Sequence, residues 1–162
     1  MLAFAKFKKL ALSLTPEDST AKPTKAALQS IQHYTEFAMM KLLTIIMDFK
    51  KGRTIDVKEV QRGRHFMLNF LFSGTETKIN KALLEKLPKK LAIKEMKAAR
   101  TDCRVTKNAL VVIKQLYADL VLYCVQQLKM DKTISKRMRQ NNVNDMLCNQ
   151  MLFAGCDVPT NE

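Results

Sequence analysis

Lys50-Lys51-Gly52-Arg53-Thr54-Ile55-Asp56-Val57-Lys58-Glu59-Val60-Gln61 (residues 50–61) is a basic loop followed at once by a helix start. Asp56 is a good N-cap, and Glu59 three residues later completes a capping-box-like pair, so a short helix opens here and runs to about residues 66–69. Directly before the loop, residues 25–49 carry Leu28, Ile31, Phe37, Leu42, Ile45, Ile46 and Phe49 at helical spacing. A helix of that length spans roughly 37 Å at ~1.5 Å per residue. Its apolar residues cover more than one narrow stripe, so several neighbours must bury it.

The same punctuation extends outward. Phe4, Phe7, Leu10, Ala11 and Leu14 fall on one side of a short helix over residues 4–14, which Thr15-Pro16-Glu17 stops. Downstream, Ser73-Gly74-Thr75 ends the short helix, and residues 75–87 read as one more amphipathic helix before Pro88. The second half repeats the plan. Thr24-Lys25-Ala26-Ala27-Leu28-Gln29-Ser30-Ile31 and Thr106-Lys107-Asn108-Ala109-Leu110-Val111-Val112-Ile113 match at Thr, Lys, Ala, Leu and Ile, at an offset of 82. A short helix over about 91–100 precedes the match, and a long one over about 107–130 contains it. A basic loop over 131–139 and a last short helix over about 141–153 follow. A short-long-short unit cannot close a core alone, so the halves are expected to fold against each other in one all-α domain.

Charge supports a repeated unit. The chain has 28 Lys+Arg against 15 Asp+Glu, a net charge of +13. Fifteen basic residues stand against eight acidic ones in residues 1–87, and thirteen against seven in 88–162, so the excess is not confined to one tail. With 47 % hydrophobic residues the chain is expected to fold, and its charge favours polyanions, nucleic acid before anionic membrane. No uninterrupted apolar run approaches the ~20 residues of a spanning helix, and the amphipathic start MLAFAKFKKLAL lacks the form of a secretory signal. Cys103, Cys124, Cys148 and Cys156 contain no CxxC pair and lie far in sequence from His33 and His65, so thiols are expected and no metal site. No nucleophile–base pairing, phosphate-cradling glycine loop or paired carboxylates appear, so the sequence predicts no enzyme, cofactor or small-molecule substrate.

The first half resembles histone 2B. Residues 4–14 with Thr15-Pro16-Glu17 look like its first helix and the start of its loop, Thr54-Ile55-Asp56-Val57-Lys58-Glu59-Val60-Gln61 is similar to its Thr-Ile-x-x-x-Glu-Ile-Gln segment, and residues 75–87 look like its extra C-terminal helix. The second half resembles histone 2A, with Arg104-Val105 before the central helix and the apolar rhythm of residues 116–128. Fused in that order, the halves resemble the histone doublets of large DNA viruses of the marseillevirus type, in a short-tailed form. The resemblance covers residues 4–153. It implies two tandem histone folds, residues 1–87 and 88–162, packed as an intramolecular handshake pseudo-dimer with an extra C-terminal helix on the first. Histone 2A carries glutamates on its central helix as an acidic docking patch; here residues 116–127 keep only Asp119.

In a handshake the first loop of one fold lies beside the second loop of the other. Carried over, Lys50, Lys51, Arg53 and Thr54 would meet Arg100, Arg104 and Lys107, while Lys132, Lys136, Arg137 and Arg139 would meet Lys22, Thr24 and Lys25. Lysine, arginine, threonine hydroxyls and helix-start N–H groups there would hold phosphate, with arginine entering the minor groove, so binding to double-stranded DNA would be sequence-tolerant and salt-sensitive. The resemblance implies a histone 3/histone 4-like doublet as partner, packaging of viral DNA, and a location in the virion and the host nucleus or viral factory, without secretion. Two other classes fit parts of the sequence. A histone-fold regulatory factor would use the handshake without nucleosomes, and a basic helical adaptor would explain charge and periodicity but not the repeat. Arg53 and Arg104 have a solvated loop as competing role, Arg137 and Arg139 compete for one role, and Lys6, Lys8 and Lys9 can form an ordinary wet helix face.

Overall fold

Apolar residues at helical spacing draw Lys25–Phe49 into one unbroken helix, α2. The computed structural model describes it together with the remainder of residues 2–15, 21–49, 54–71, 87, 104–129, 134 and 136–160. Along the chain, α1 (Phe4–Leu14) is followed by β1 (Lys22–Pro23), α2, β2 (Thr54–Ile55) and α3 (Val57–Leu71). Then come β3 (Arg104–Val105), α4 (Lys107–Lys129), β4 (Arg137–Met138), α5 (Gln140–Leu147) and a 3-10 turn, Met151–Phe153. The fold is all-α, and the strands are two-residue pairings between loops. The helices expected over 75–87 and 91–100 lie outside the described residues, apart from Leu87, which is buried.

Two compact units divide the chain, and each takes segments from both sequence halves. A terminal unit comprises residues 3–38 and 120–162; a central unit comprises 39–119 with residues 1–2.

In the terminal unit, α1 buries Phe7, Leu10 and Ala11 and leaves Lys6, Lys8 and Lys9 exposed. It ends where Thr15 turns extended (ψ 127°), as a residue preceding proline in sequence should, and the Thr15 N–H and hydroxyl both close on the Ala11 carbonyl. Residues 25–38 of α2 contribute Ala27, Leu28, Ile31, Tyr34 and Ala38 to the core. Tyr34 is fully buried, so its hydroxyl needs a partner, and it donates to Asn144 Oδ1 at 3.0 Å. Its ring meets Phe153 edge-on at a centroid distance of 5.3 Å. The buried Ser30 hydroxyl accepts from Gln140 Nε2 at 2.8 Å, tying the start of α5 to α2. An apolar crevice lined by Ala11, Pro23, Leu28, Ile31, Val125 and Met138, among others, encloses about 20 Å³, the room of a single water.

The single last helix expected over 141–153 is in fact two pieces. Gln150 is extended between them (φ −78°, ψ 143°), and its side chain explains the break. The amide accepts the Tyr123 hydroxyl proton and donates to Gln127 Oε1 at 3.2 Å and to Met146 O at 3.1 Å. Three side-chain bonds hold Gln150 off the helix and let the following turn bury Phe153. Gly155 then takes φ +88°, where a side chain would be strained. The chain beyond it is fastened by His33 Nε2 to Asp157 O (2.9 Å) and by Asn144 Nδ2 to Pro159 O (2.8 Å).

In the central unit, Met39, Leu43, Ile46 and Met47 of α2 are buried, with Ile55, Val60, Ala109, Ile113, Leu116 and Tyr117. Gly63 lets α3 come close to Ile46: a Cβ there would lie 2.8 Å from Ile46 Cδ1. Helix α4 is long and apolar enough to cross a membrane by composition, which the absence of an uninterrupted apolar run did not reveal. Its apolar residues have a place inside the protein, however, for every residue from 116 to 125 is buried. Within that run Asp119 keeps its charge opposite Arg64, with Nε to Oδ2 at 2.6 Å. The Asp119 side chain is 3 % exposed and that of Arg64 19 %. Asp119, the acid in residues 116–127, therefore faces inward.

Removing one member of such a pair strands the other. Asp119→Ala is expected to lower unfolding free energy by about 3–5 kcal/mol in urea titrations, with Asp119→Asn losing less because the hydrogen bond survives.

Candidate nucleic-acid interface

Four helices begin one residue after a paired dipeptide. In the terminal unit β1 runs parallel to β4, with Lys22 opposite Arg137 and Pro23 opposite Met138. In the central unit β2 runs parallel to β3, with Thr54 opposite Arg104 and Ile55 opposite Val105. Side chains alternate along a strand, so one residue of each dipeptide faces out and the other in. Lys22, Arg137, Thr54 and Arg104 are exposed, whereas Met138 and Ile55 are buried and Pro23 and Val105 half-buried. The inward residues anchor each pair, and the outward ones present charge.

The hydrogen bonds repeat from unit to unit. Thr24 N–H donates to Met138 O at 2.9 Å, and Thr106 N–H donates to Ile55 O at 3.1 Å. Thr24 Oγ1 accepts from Ala27 N–H (3.1 Å) and Thr106 Oγ1 from Ala109 N–H (3.2 Å), so the Thr and Ala shared at the 82-residue offset are a helix cap and its client. At the other two helix starts the reciprocal half of a capping box is present. Asp56 N–H donates to Glu59 Oε2 and Arg139 N–H to Asn142 Oδ1, each at 2.9 Å. The expected cap at Asp56 differs in detail. Its Oδ1 accepts from the adjacent Val57 N–H (2.8 Å) and from the Thr106 hydroxyl (3.0 Å), thereby linking the starts of α3 and α4.

Of the residues singled out in the sequence, the structure pairs Thr54 with Arg104 and Lys22 with Arg137 directly. Lys25 and Lys107 are the exposed first residues of α2 and α4, and Thr24 is spent partly on its cap. Lys136 is exposed, and its carbonyl accepts the Lys22 N–H at 3.2 Å. Arg137 and Arg139 need not compete, since the first sits on β4 and the second on the N-cap of α5, both exposed. Lys50, Lys51, Arg53, Arg100 and Lys132 lie outside the described residues. Sequence reading missed Thr106 and Asn142 as site residues; the signal for Thr106 was its match to Thr24 at the 82-residue offset, and Asn142 stands three residues after its N-cap as Glu59 does.

Each pair thus gathers outward cations or hydroxyls beside two helix N-termini, whose N–H groups and dipoles favour anions. In the terminal unit Lys22 lies opposite Arg137, a like-charge juxtaposition that destabilises a bare protein. A phosphate group placed there would relieve it.

Cys124 and Cys156 offer no comparable chemistry. Burial pushes Cys124 up to about 12, partly offset by the Thr35 hydroxyl 3.8 Å away, and burial with the nearby Asp157 charge pushes Cys156 up to about 11. Both are protonated at neutral pH and weak nucleophiles. Searches against protein-family models, curated proteins and solved structures find no match to the chain.

Two outcomes follow from this geometry. Thr24→Ala and Thr106→Ala should each lower stability by about 1 kcal/mol, seen as a lower urea midpoint at unchanged slope, with serine nearly neutral. In the native protein at mildly alkaline pH, Cys124 should resist thiol reagents, then react at the rate of a free thiol once urea unfolds the chain.

Proposed function

We propose that this protein is a histone doublet, two histone folds in one chain, that packages viral DNA with a histone 3/histone 4-like partner through sequence-independent phosphate and minor-groove contacts. The observation that carries the reading is the crossed loop pairing. The loop before the long helix of the first half pairs with the loop after the long helix of the second (Lys22 with Arg137). The reverse combination makes the other pair (Thr54 with Arg104). That is the arrangement a handshake of two short-long-short folds requires, and it sets cations beside helix N-termini twice. A net charge of +13 supplies long-range attraction to DNA, and none of the proposed contacts reads a base edge. On this reading the protein acts in the virion and at the viral factory or host nucleus. The inward-facing Asp119 implies a packaging role without the acidic docking surface of cellular chromatin.

Reconstitution with the histone 3/histone 4-like doublet on mixed-sequence DNA, followed by nuclease digestion, tests the assignment. A discrete protected fragment is expected, and uniform degradation would overturn it. A preference for one sequence over bulk competitor DNA would instead indicate a regulatory factor. For the chain alone, Arg137→Ala should weaken binding equally across sequences and reduce the slope of log affinity against log salt by about 1, with thermal unfolding of the free protein not lowered.

A further inference from the structure

The two loop pairs share their hydrogen-bond pattern but not their charge. At the pair and cap positions, the terminal unit presents Lys22, Lys25, Arg137 and Arg139, and its reciprocal cap is the neutral amide of Asn142. The corresponding positions of the central unit are Arg104, Lys107, Thr54, Asp56 and Glu59. Four cations and no carboxylate on one side answer to two cations and two carboxylates on the other.

The carboxylates also occupy donors that an anion would use. Asp56 Oδ1 takes the Val57 N–H at the start of α3 and the Thr106 hydroxyl proton at the start of α4, and Glu59 Oε2 takes the Asp56 N–H. An acid at an N-cap is by itself an ordinary stabilising device. Here, however, one oxygen bridges two helix starts drawn from two different loops, where the paired Thr54 and Arg104 would seat a phosphate.

We infer that Asp56, supported by Glu59, is a built-in occupant of the anion site at the Thr54–Arg104 pair, which makes the Lys22–Arg137 pair the primary DNA-phosphate contact and the other pair a weaker one. The inference rests on the DNA-binding reading above and names the residue that sets the strength of one of its two contacts. Phosphate approaching the central pair must displace or sit beside a fixed negative charge. At the terminal pair it meets only cations among the equivalent positions. DNA is therefore released from the central pair at lower salt than from the terminal pair.

The test uses the full chain and a short duplex of mixed sequence, titrated across a salt series. Asp56→Asn keeps a capping oxygen for Val57 and Thr106 but removes the charge; Asp56→Ser is a second capping variant should the first unfold. Either should raise affinity on the order of threefold to tenfold at low salt, the effect of removing one nearby like charge under solvent screening. In the unaltered chain, Arg104→Ala should weaken binding less than Arg137→Ala; in the Asp56→Asn background, Arg104→Ala should cost as much as Arg137→Ala does. If the unaltered chain fails to retard the duplex at low salt, the DNA-binding reading falls and this inference with it. If it binds and responds to Arg137→Ala, yet Asp56→Asn changes neither affinity nor the cost of Arg104→Ala, the built-in occupant is refuted while DNA binding stands.

Discussion

A two-residue parallel pairing, made twice, is the constraint on which this structure depends. Each of the four dipeptides lies one residue ahead of a helix, so the two pairings fix where α2, α3, α4 and α5 begin. Two hydrogen-bonded residues would be marginal alone. They hold because Ile55 and Met138 turn into the cores and because the next helix start is capped at once, by Thr24, Thr106 and Asp56 accepting a helix-start N–H and by Asn142 accepting the Arg139 N–H. The alternation that buries Ile55 also sends Thr54 outward, so anchoring and display come from the same two residues.

Helix starts were legible because caps are local. Thr24 and Thr106 each act on a residue three positions away, and the recurrence of that spacing carried the repeat through a poorly matched background. The limits of α1 follow from apolar spacing that burial then respects, with Phe7, Leu10 and Ala11 inside and Lys8 and Lys9 outside, whereas in α2 Leu28, Ile31 and Ile46 are buried but Ile45 is exposed. What escaped the sequence was decided by distant partners. Nothing in residues 148–150 announces that Gln150 will leave the helix; the reason lies in Tyr123 and Gln127 of α4. The bridge from Asp56 to Thr106 joins residues 50 positions apart, and Arg64 finds Asp119 at a separation of 55. Periodicity sees none of these. The candidate site was legible in its residue types and its loop pairing, but the difference in charge between its two versions depends on which atoms Asp56 and Glu59 touch.

Helix α4 shows why composition alone can mislead about environment. Averaged over 18 residues its hydropathy is 1.4, within the range of a spanning segment. A helix enclosed on all sides loses the reason for a polar face, and residues 116–125 are all buried. The exception, Asp119, shows the cost of retaining a charge there, since it requires Arg64 reaching from α3 at 2.6 Å.

Stability and the proposed function press in opposite directions at the loop pairs. Lys22 against Arg137 sets like charges side by side, and a net charge of +13 adds self-repulsion. A polyanion reverses both signs, because each phosphate bound turns a repulsive pair into a shared clamp and releases counterions. The Thr54–Arg104 pair eases the same tension within the chain, using Asp56 and Glu59 at the helix starts. On the proposed reading, one pair would leave its charge to the ligand, while the other neutralises part of its own within the chain.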